Sequence, residues 1–211
     1  MKIIKIVSEK YMQNNYLVAG ENDAVLIDAS ASIEQVKENL RISASNPKLR
    51  AILLTHEHFD HIFELDNLVN KFDCPVYIHA KGKPCLYKSS QNLSDIEEPF
   101  VIKEKKRIKT IKDGEEIKLE DFSIKAFHTP GHSLGSTCYL IEDNLFVGDT
   151  VFRVDVGRYD MYGGDANVQK ITLQRLLTDE SMHAEHYYAG HGSNFERDDL
   201  EYNINRVLGE N

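Results

Sequence analysis

The chain has 211 residues, 41% of them hydrophobic and 28% charged, which is enough apolar material for a sizeable buried core. Its net charge is -9, and its one dense basic stretch, "KEKKRIK" at 103–109, reads as a solvated loop or strand edge, so nucleic acid is not the expected partner. No run approaches the roughly 18 apolar residues of a membrane span, "MKIIKIV" breaks at Glu9 and Lys10 before a leader could form, and Cys74, Cys85 and Cys138 make no disulfide framework, so one cytoplasmic domain over 1–211 without membrane attachment is expected.

Residues 2–7, 15–20 and 24–29 read as strands of a meander, with a turn at 21–23. Residues 32–42 have helical apolar spacing at Ile33, Val36, Leu40 and Ile42, and Ser32 can cap the helix. "AILLT" (51–55) is a continuous apolar run that suits a buried strand. Helical spacing returns from Ile62 to Phe72, and 75–80 is again a strand. The stretch 81–108 reads as a short helix and a long loop that shapes the pocket. The second half opens with strands around "RIKTI", "EEIKLE" and 122–127, then a hairpin with its turn at 142–144. Helices over 168–177 and 197–208 flank a strand at 186–190. Two strand-plus-helix halves of this kind suggest two sheets packed face to face with helices outside.

The chemistry concentrates at strand ends. After "AILLT", "HEHFDH" puts three histidines and an aspartate into six residues. Alternate side chains of an extended segment point the same way, so His56 and His58 reach one ion. Asp60 and His61 stand at the start of the next helix and face elsewhere, so one loop feeds two neighbouring positions. "HTPGHSLGS" turns at Pro130 and Gly131 and presents His132, "LFVGDT" ends on Asp149, and "YYAGHG" ends on His191 between glycines. His56, His58 and His132 form a set suited to zinc with an open position. Asp60, His61 and His191 form a second, and Asp149 has two oxygens with which to bridge them. Two ions so placed hold a hydroxide between them as nucleophile. The donor set is nitrogen and oxygen, which admits two divalent ions: zinc first, iron or manganese as alternatives.

These motifs, "THEHFDH", "HTPGHSLGS", "GDT" and "GHG", in this order, resemble those of the metallo-beta-lactamase superfamily. "GDTVFRVDVGRYDMYGGD" (148–165) is similar to the branch of small hydrolases typified by glyoxalase II. The resemblance implies an α/β fold, an αββα four-layer sandwich of two mixed sheets, with the metals in a cleft at one edge. It implies the same seven ligands, with Asp60 also orienting the hydroxide, and it gives Asp28 a position that supports the site from behind. His128 looks structural, as do His79, His183 and His186, which match no ligand motif. The chain ends some twenty residues after "GHG", without the helical domain by which glyoxalase II binds glutathione. Dizinc beta-lactamases generally carry cysteine where Asp149 stands, which argues against antibiotic hydrolysis, and the nuclease branches carry a large insertion that has no room here.

The implied activity is hydrolysis of a thioester, hydroxyacylglutathione-like, whose thiolate leaves without a strong general acid. The substrate is a small molecule, and Arg158 and Tyr159, in a loop soon after Asp149, are placed either to contact it or to close the loop on itself. The alternatives are an iron persulfide dioxygenase using His56, His132 and Asp149 alone, and a hydrolase of a lactone or phosphodiester on the same scaffold.

Overall fold

The computed structural model describes residues 1–43 and 45–209. Strands β1 (Lys2–Val7), β2 (Asn14–Ala19) and β3 (Asp23–Ile27) form the antiparallel meander. Strands β4 (Lys48–Leu53), β5 (Val76–His79) and β6 (Ile108–Ile111) extend it in parallel, in the order β1-β2-β3-β4-β5-β6. The second sheet holds β7 (Glu116–Lys118), β8 (Ser123–His128), β9 (Thr137–Ile141), β10 (Asn144–Gly148), β11 (His186–Ala189) and β12 (Phe195–Glu196). Its order is β12-β11-β10-β9-β8-β7, and its β10–β11 pair is parallel.

Period-two alternation explains the layers. In β2, β3 and β4 one set of side chains, Leu17, Leu26 and Ile52, packs on Val36 and Leu40 of α1 (Ile33–Ile42). The same cluster takes in Ile62 of α2 (Phe59–Ile62), and Leu65, Leu68 and Val69 of α3 (Leu65–Phe72). The alternate set, Val18, Val25, Ile27 and Leu53, meets Ile124, Ala126, Tyr139 and Phe146 of the facing sheet. Beyond α4 (Ser89–Asn92), helices α5 (Ala166–Thr178) and α6 (Arg197–Leu208) cover the far face through Leu173, Leu176, Leu200 and Ile204. The result is the αββα arrangement, and strands buried on both faces read as unbroken apolar runs. Among the described residues no helix is long and apolar enough to cross a membrane.

Ser32 caps α1 in a full capping box with Gln35, as its spacing predicts. Three boundaries differ from the sequence reading. "RIKTI" belongs to the first sheet, because β6 pairs in parallel with β5 from Val76↔Ile108 to His79↔Ile111. A parallel partner needs a long crossover, and 80–107 supplies it, with 3₁₀ turns at Lys83–Tyr87 and Ser94–Ile96 around α4. The helical pattern from Ile62 is two helices, with Phe63 and Glu64 as the join. The hairpin turn is tighter than read: Glu142 takes a left-handed φ of 52°, and Asn144 already opens β10.

Candidate metal centre

Four strand ends converge at one edge of the sandwich. β4 delivers Thr55, His56 and His58, and Asp60 and His61 lie in the single turn of α2. β8 runs into the Thr129–His132 turn, β10 ends before Asp149, and β11 before Gly190 and His191. The close approach has a steric requirement at Gly190, where a Cβ would collide with Asp149 Oδ1 and stand 2.6 Å from His61. Gly148, with φ 51°, turns the chain against Thr55.

All seven sequence-predicted ligands come together. Side-chain donors of His56, His58 and His132 lie within 4.8 Å of one another, as do those of Asp60, His61 and His191, and those of His56, His61 and Asp149. Asp149 stands between the sets: its Oδ1 is 3.3 Å from His61 Nε2, and its Oδ2 is 3.7 Å from His191 Nε2 and 3.9 Å from His132 Nε2. Asp60 Oδ2 is 3.0 Å from His191 Nε2.

The chain fixes the rings from behind. Asp28, left-handed at φ 62°, accepts from Thr55 N at 2.8 Å, from Thr55 Oγ1 and from His61 Nδ1 at 2.8 Å. It is thus a turn residue as well as the support that the resemblance implies. Thr55 Oγ1, its proton given to Asp28, accepts from His56 Nδ1 at 3.0 Å. The Arg158 carbonyl accepts from His132 Nδ1 at 2.6 Å. Each of these rings therefore carries its proton on Nδ1 and turns Nε2 inward. The Nε2 atoms of His56, His58, His61 and His132, with Asp149 Oδ1, are buried without a hydrogen-bond partner. An unsatisfied buried polar atom costs about 1–3 kcal/mol. Five converging at one edge, each a lone-pair donor once His61 gives up its Nε2 proton, fit a pair of divalent cations.

The charge balance agrees. Burial holds His56 well below the usual 6.5, helped by His61 and His58, and takes His58 down to about 3. Burial also lowers His132, against the pull of Asp149. These rings are neutral and ready to ligate. On His61 burial also acts downward, but Asp28, Asp149 and Asp60 outweigh it and hold the ring well above 6.5. A proton on its Nε2 is what a cation there displaces. Burial pushes Asp60 and Asp149 up, and the histidines beside them overcome it, so both stay carboxylates.

Sequence reasoning missed Glu57, fully buried between two ligand histidines. Its side chain accepts from Ser133 Oγ and Gly135 N, each at 3.1 Å, and so ties the His132 loop to the β4 end. Gly82 and Gly135 make room for it, since a Cβ on either would strike its carboxylate, so the start of the 81–108 segment buttresses the site from behind. Gln13, Asn14 and Asn15 were missed as well. No local pattern marks any of the four, since the partners that give them a role lie far along the chain. Arg158 serves through its carbonyl, while its guanidinium pairs with the exposed Asp160 at 2.9 Å. Tyr159 is exposed. His79 and His128 stack on each other at 3.6 Å, and His186 pairs with Glu196, so neither pair belongs to the ligand cluster.

The family model of the Metallo-beta-lactamase superfamily matches residues 9–191. The probable metallo-hydrolase YqgX of Bacillus subtilis (strain 168) is 32% identical over 168 residues, covering 78% of this chain and 79% of its own. The crystal structure of the BLEG-1 B3 metallo-beta-lactamase aligns with a TM-score of 0.83 and 28% identity, over 96% of this chain and 98% of that one. That of TTHA1623 in a di-iron-bound form aligns with a TM-score of 0.78 and 31% identity, over 97% and 100%.

Proposed function

The chain belongs to the metallo-beta-lactamase superfamily, and from that footing we propose that it is a dinuclear metal-dependent hydrolase of small-molecule thioesters. His56, His58 and His132 hold one divalent ion, Asp60, His61 and His191 the second, and Asp149 lies between them. The observation that carries the reading is the set of orphaned donors: four buried Nε2 atoms and Asp149 Oδ1 turned toward one another. Bound there, the ions would supply Lewis acidity for a carbonyl oxygen and lower the pKa of water so that hydroxide is available as nucleophile near neutral pH. Zinc suits the donors, and the di-iron form of TTHA1623 makes iron the second metal to load.

The protein's own part is positioning. Thr55, Asp28 and Arg158 lock the rings, and burial excludes bulk water from their inner nitrogens. Asp60, partly exposed and carboxylate in form, is placed to orient the attacking water. The other stacked or paired histidines are engaged elsewhere, which suits a leaving group that needs no general acid. A thiolate, whose conjugate acid has a pKa of about 8.5, is such a group.

A mononuclear iron centre on His56, His132 and Asp149 is less well supported, because it leaves His58 Nε2 buried and unpaired. The likeness to BLEG-1 makes β-lactam opening the competing hydrolytic reading. The test is thiol release from S-D-lactoylglutathione by the zinc-loaded protein without oxygen, with nitrocefin in parallel. Release by the wild type and none by His56→Ala or Asp149→Ala, each still folded, is the expected result. Nitrocefin turnover without thiol release replaces the thioester reading, and oxygen uptake on a persulfide by a one-iron form replaces the hydrolase.

A further inference from the structure

We propose that the run Gln13–Asn14–Asn15 is the positioning element for the second metal position, the one formed by Asp60, His61 and His191. The inference rests on the two-metal reading above. All three side chains are buried, at the point where β2 begins. Three consecutive buried amides are costly unless each is paired. A strand start needs none of them for packing, so their partners are informative.

Asn14 crosses from the first sheet to the second. Its backbone N–H donates to the Gly190 carbonyl at 2.7 Å, and its Nδ2 donates to the Ala189 and Gly192 carbonyls at 2.9 and 3.1 Å. Three carbonyls of the four-residue segment that carries His191 are thus held by one residue. Lys5 Nζ and Tyr16 Oη add donors to Gly192 O and Ala189 O. Gln13 Nε2 donates to the Asn14 carbonyl and, at 3.3 Å, to Asp28 Oδ2, the oxygen that accepts from His61 Nδ1, while its Oε1 is buried without a partner. Asn15 Oδ1 accepts from Ser30 N and Ala31 N at 2.8 and 3.1 Å, and the Ser30 hydroxyl donates to the Asp60 carbonyl. Each amide therefore leads to a different member of one ligand set. The other set has separate supports: Thr55 for His56, and Arg158 and Glu57 for His132 and its loop. Gln13 also reaches His56 through Asp28 and Thr55, so Asn14 is the residue that separates the two positions.

The test is a cobalt(II) titration of the metal-free protein against a competing chelator, followed by visible absorption. Wild type takes up two equivalents. Asn14→Ala weakens by about 10–100-fold, the usual cost of losing a residue that orients a ligand, the same equivalent that His191→Ala weakens, and leaves the other unchanged. Asn14→Ser, which keeps one donor, falls between, and His191→Ala sets the limit. Asn92→Ala removes a comparable buried amide, one that donates to the Phe100 carbonyl, and leaves both equivalents as in wild type. Equal weakening of both equivalents by Asn14→Ala and Asn14→Ser marks a general structural role and overturns the inference, as does no change in either. A wild type that binds a single equivalent overturns the two-metal reading and this inference with it. Two equivalents in both wild type and variant, equally tight, overturn this inference alone.

Discussion

Glu57 shows how much of the candidate metal centre lies in residues that face away from it. It sits between His56 and His58, and alternation sends its carboxylate to the opposite side, onto Ser133 and Gly135. Removing it leaves the buried Gly135 N–H without an acceptor and turns the Ser133 hydroxyl back on Ser136 Oγ. Glu57→Ala is therefore expected to lose about 1–3 kcal/mol in urea unfolding. Glu57→Gln, which keeps one acceptor oxygen, loses less, and equal midpoints for Glu57→Ala and wild type would refute the tie. The cluster of seven candidate ligands was legible because grouped His and Asp at strand ends have few other uses. Glu57, Gln13, Asn14 and Asn15 were not, because a buried amide or carboxylate declares its role only through partners distant in the chain, such as residues 133–135 and 189–192.

The elements decide which ligands meet, and the stacked His79–His128 pair joins two of them, the end of β5 in one sheet and the end of β8 in the other. Burial, then the neighbouring His128 and Lys81, brings His79 from 6.5 down to about 4, and burial also lowers His128. The unfolded chain takes up these protons near the usual value and the folded chain only well below it. The pair's contribution is therefore fully present above 6.5 and is lost as the pH falls toward about 4. Urea midpoints of the metal-free protein should fall across that window, and His79→Phe, which keeps a ring to stack, should make the fall shallower. An unchanged slope would show that the stack does not respond to acid. At this scale α1 followed from its apolar spacing and its cap, and β2, α5 and α6 lie where the sequence places them. The allegiance of β6 did not, because a short strand states its own period and not its partner. The break between α2 and α3 was hidden because apolar spacing runs through both.

The whole molecule brings its ligands together by stacking two mixed sheets so that the ends of β4, β8, β10 and β11 share one edge. The layering was legible from two strand-plus-helix halves with strands apolar on both faces. The edge was legible because every candidate ligand followed a strand. The cross-sheet pins that hold that edge closed, Asn14 to the β11 end and Glu57 to the β8–β9 turn, are contacts between halves, which no local pattern reports. The central claim is that this edge holds two ions at defined places. Crystals grown with zinc, measured on both sides of the zinc absorption edge, test it directly. Two anomalous peaks are expected, one among His56, His58 and His132, the other among Asp60, His61 and His191, with Asp149 reaching both. A single peak, or none within reach of these residues, would contradict it.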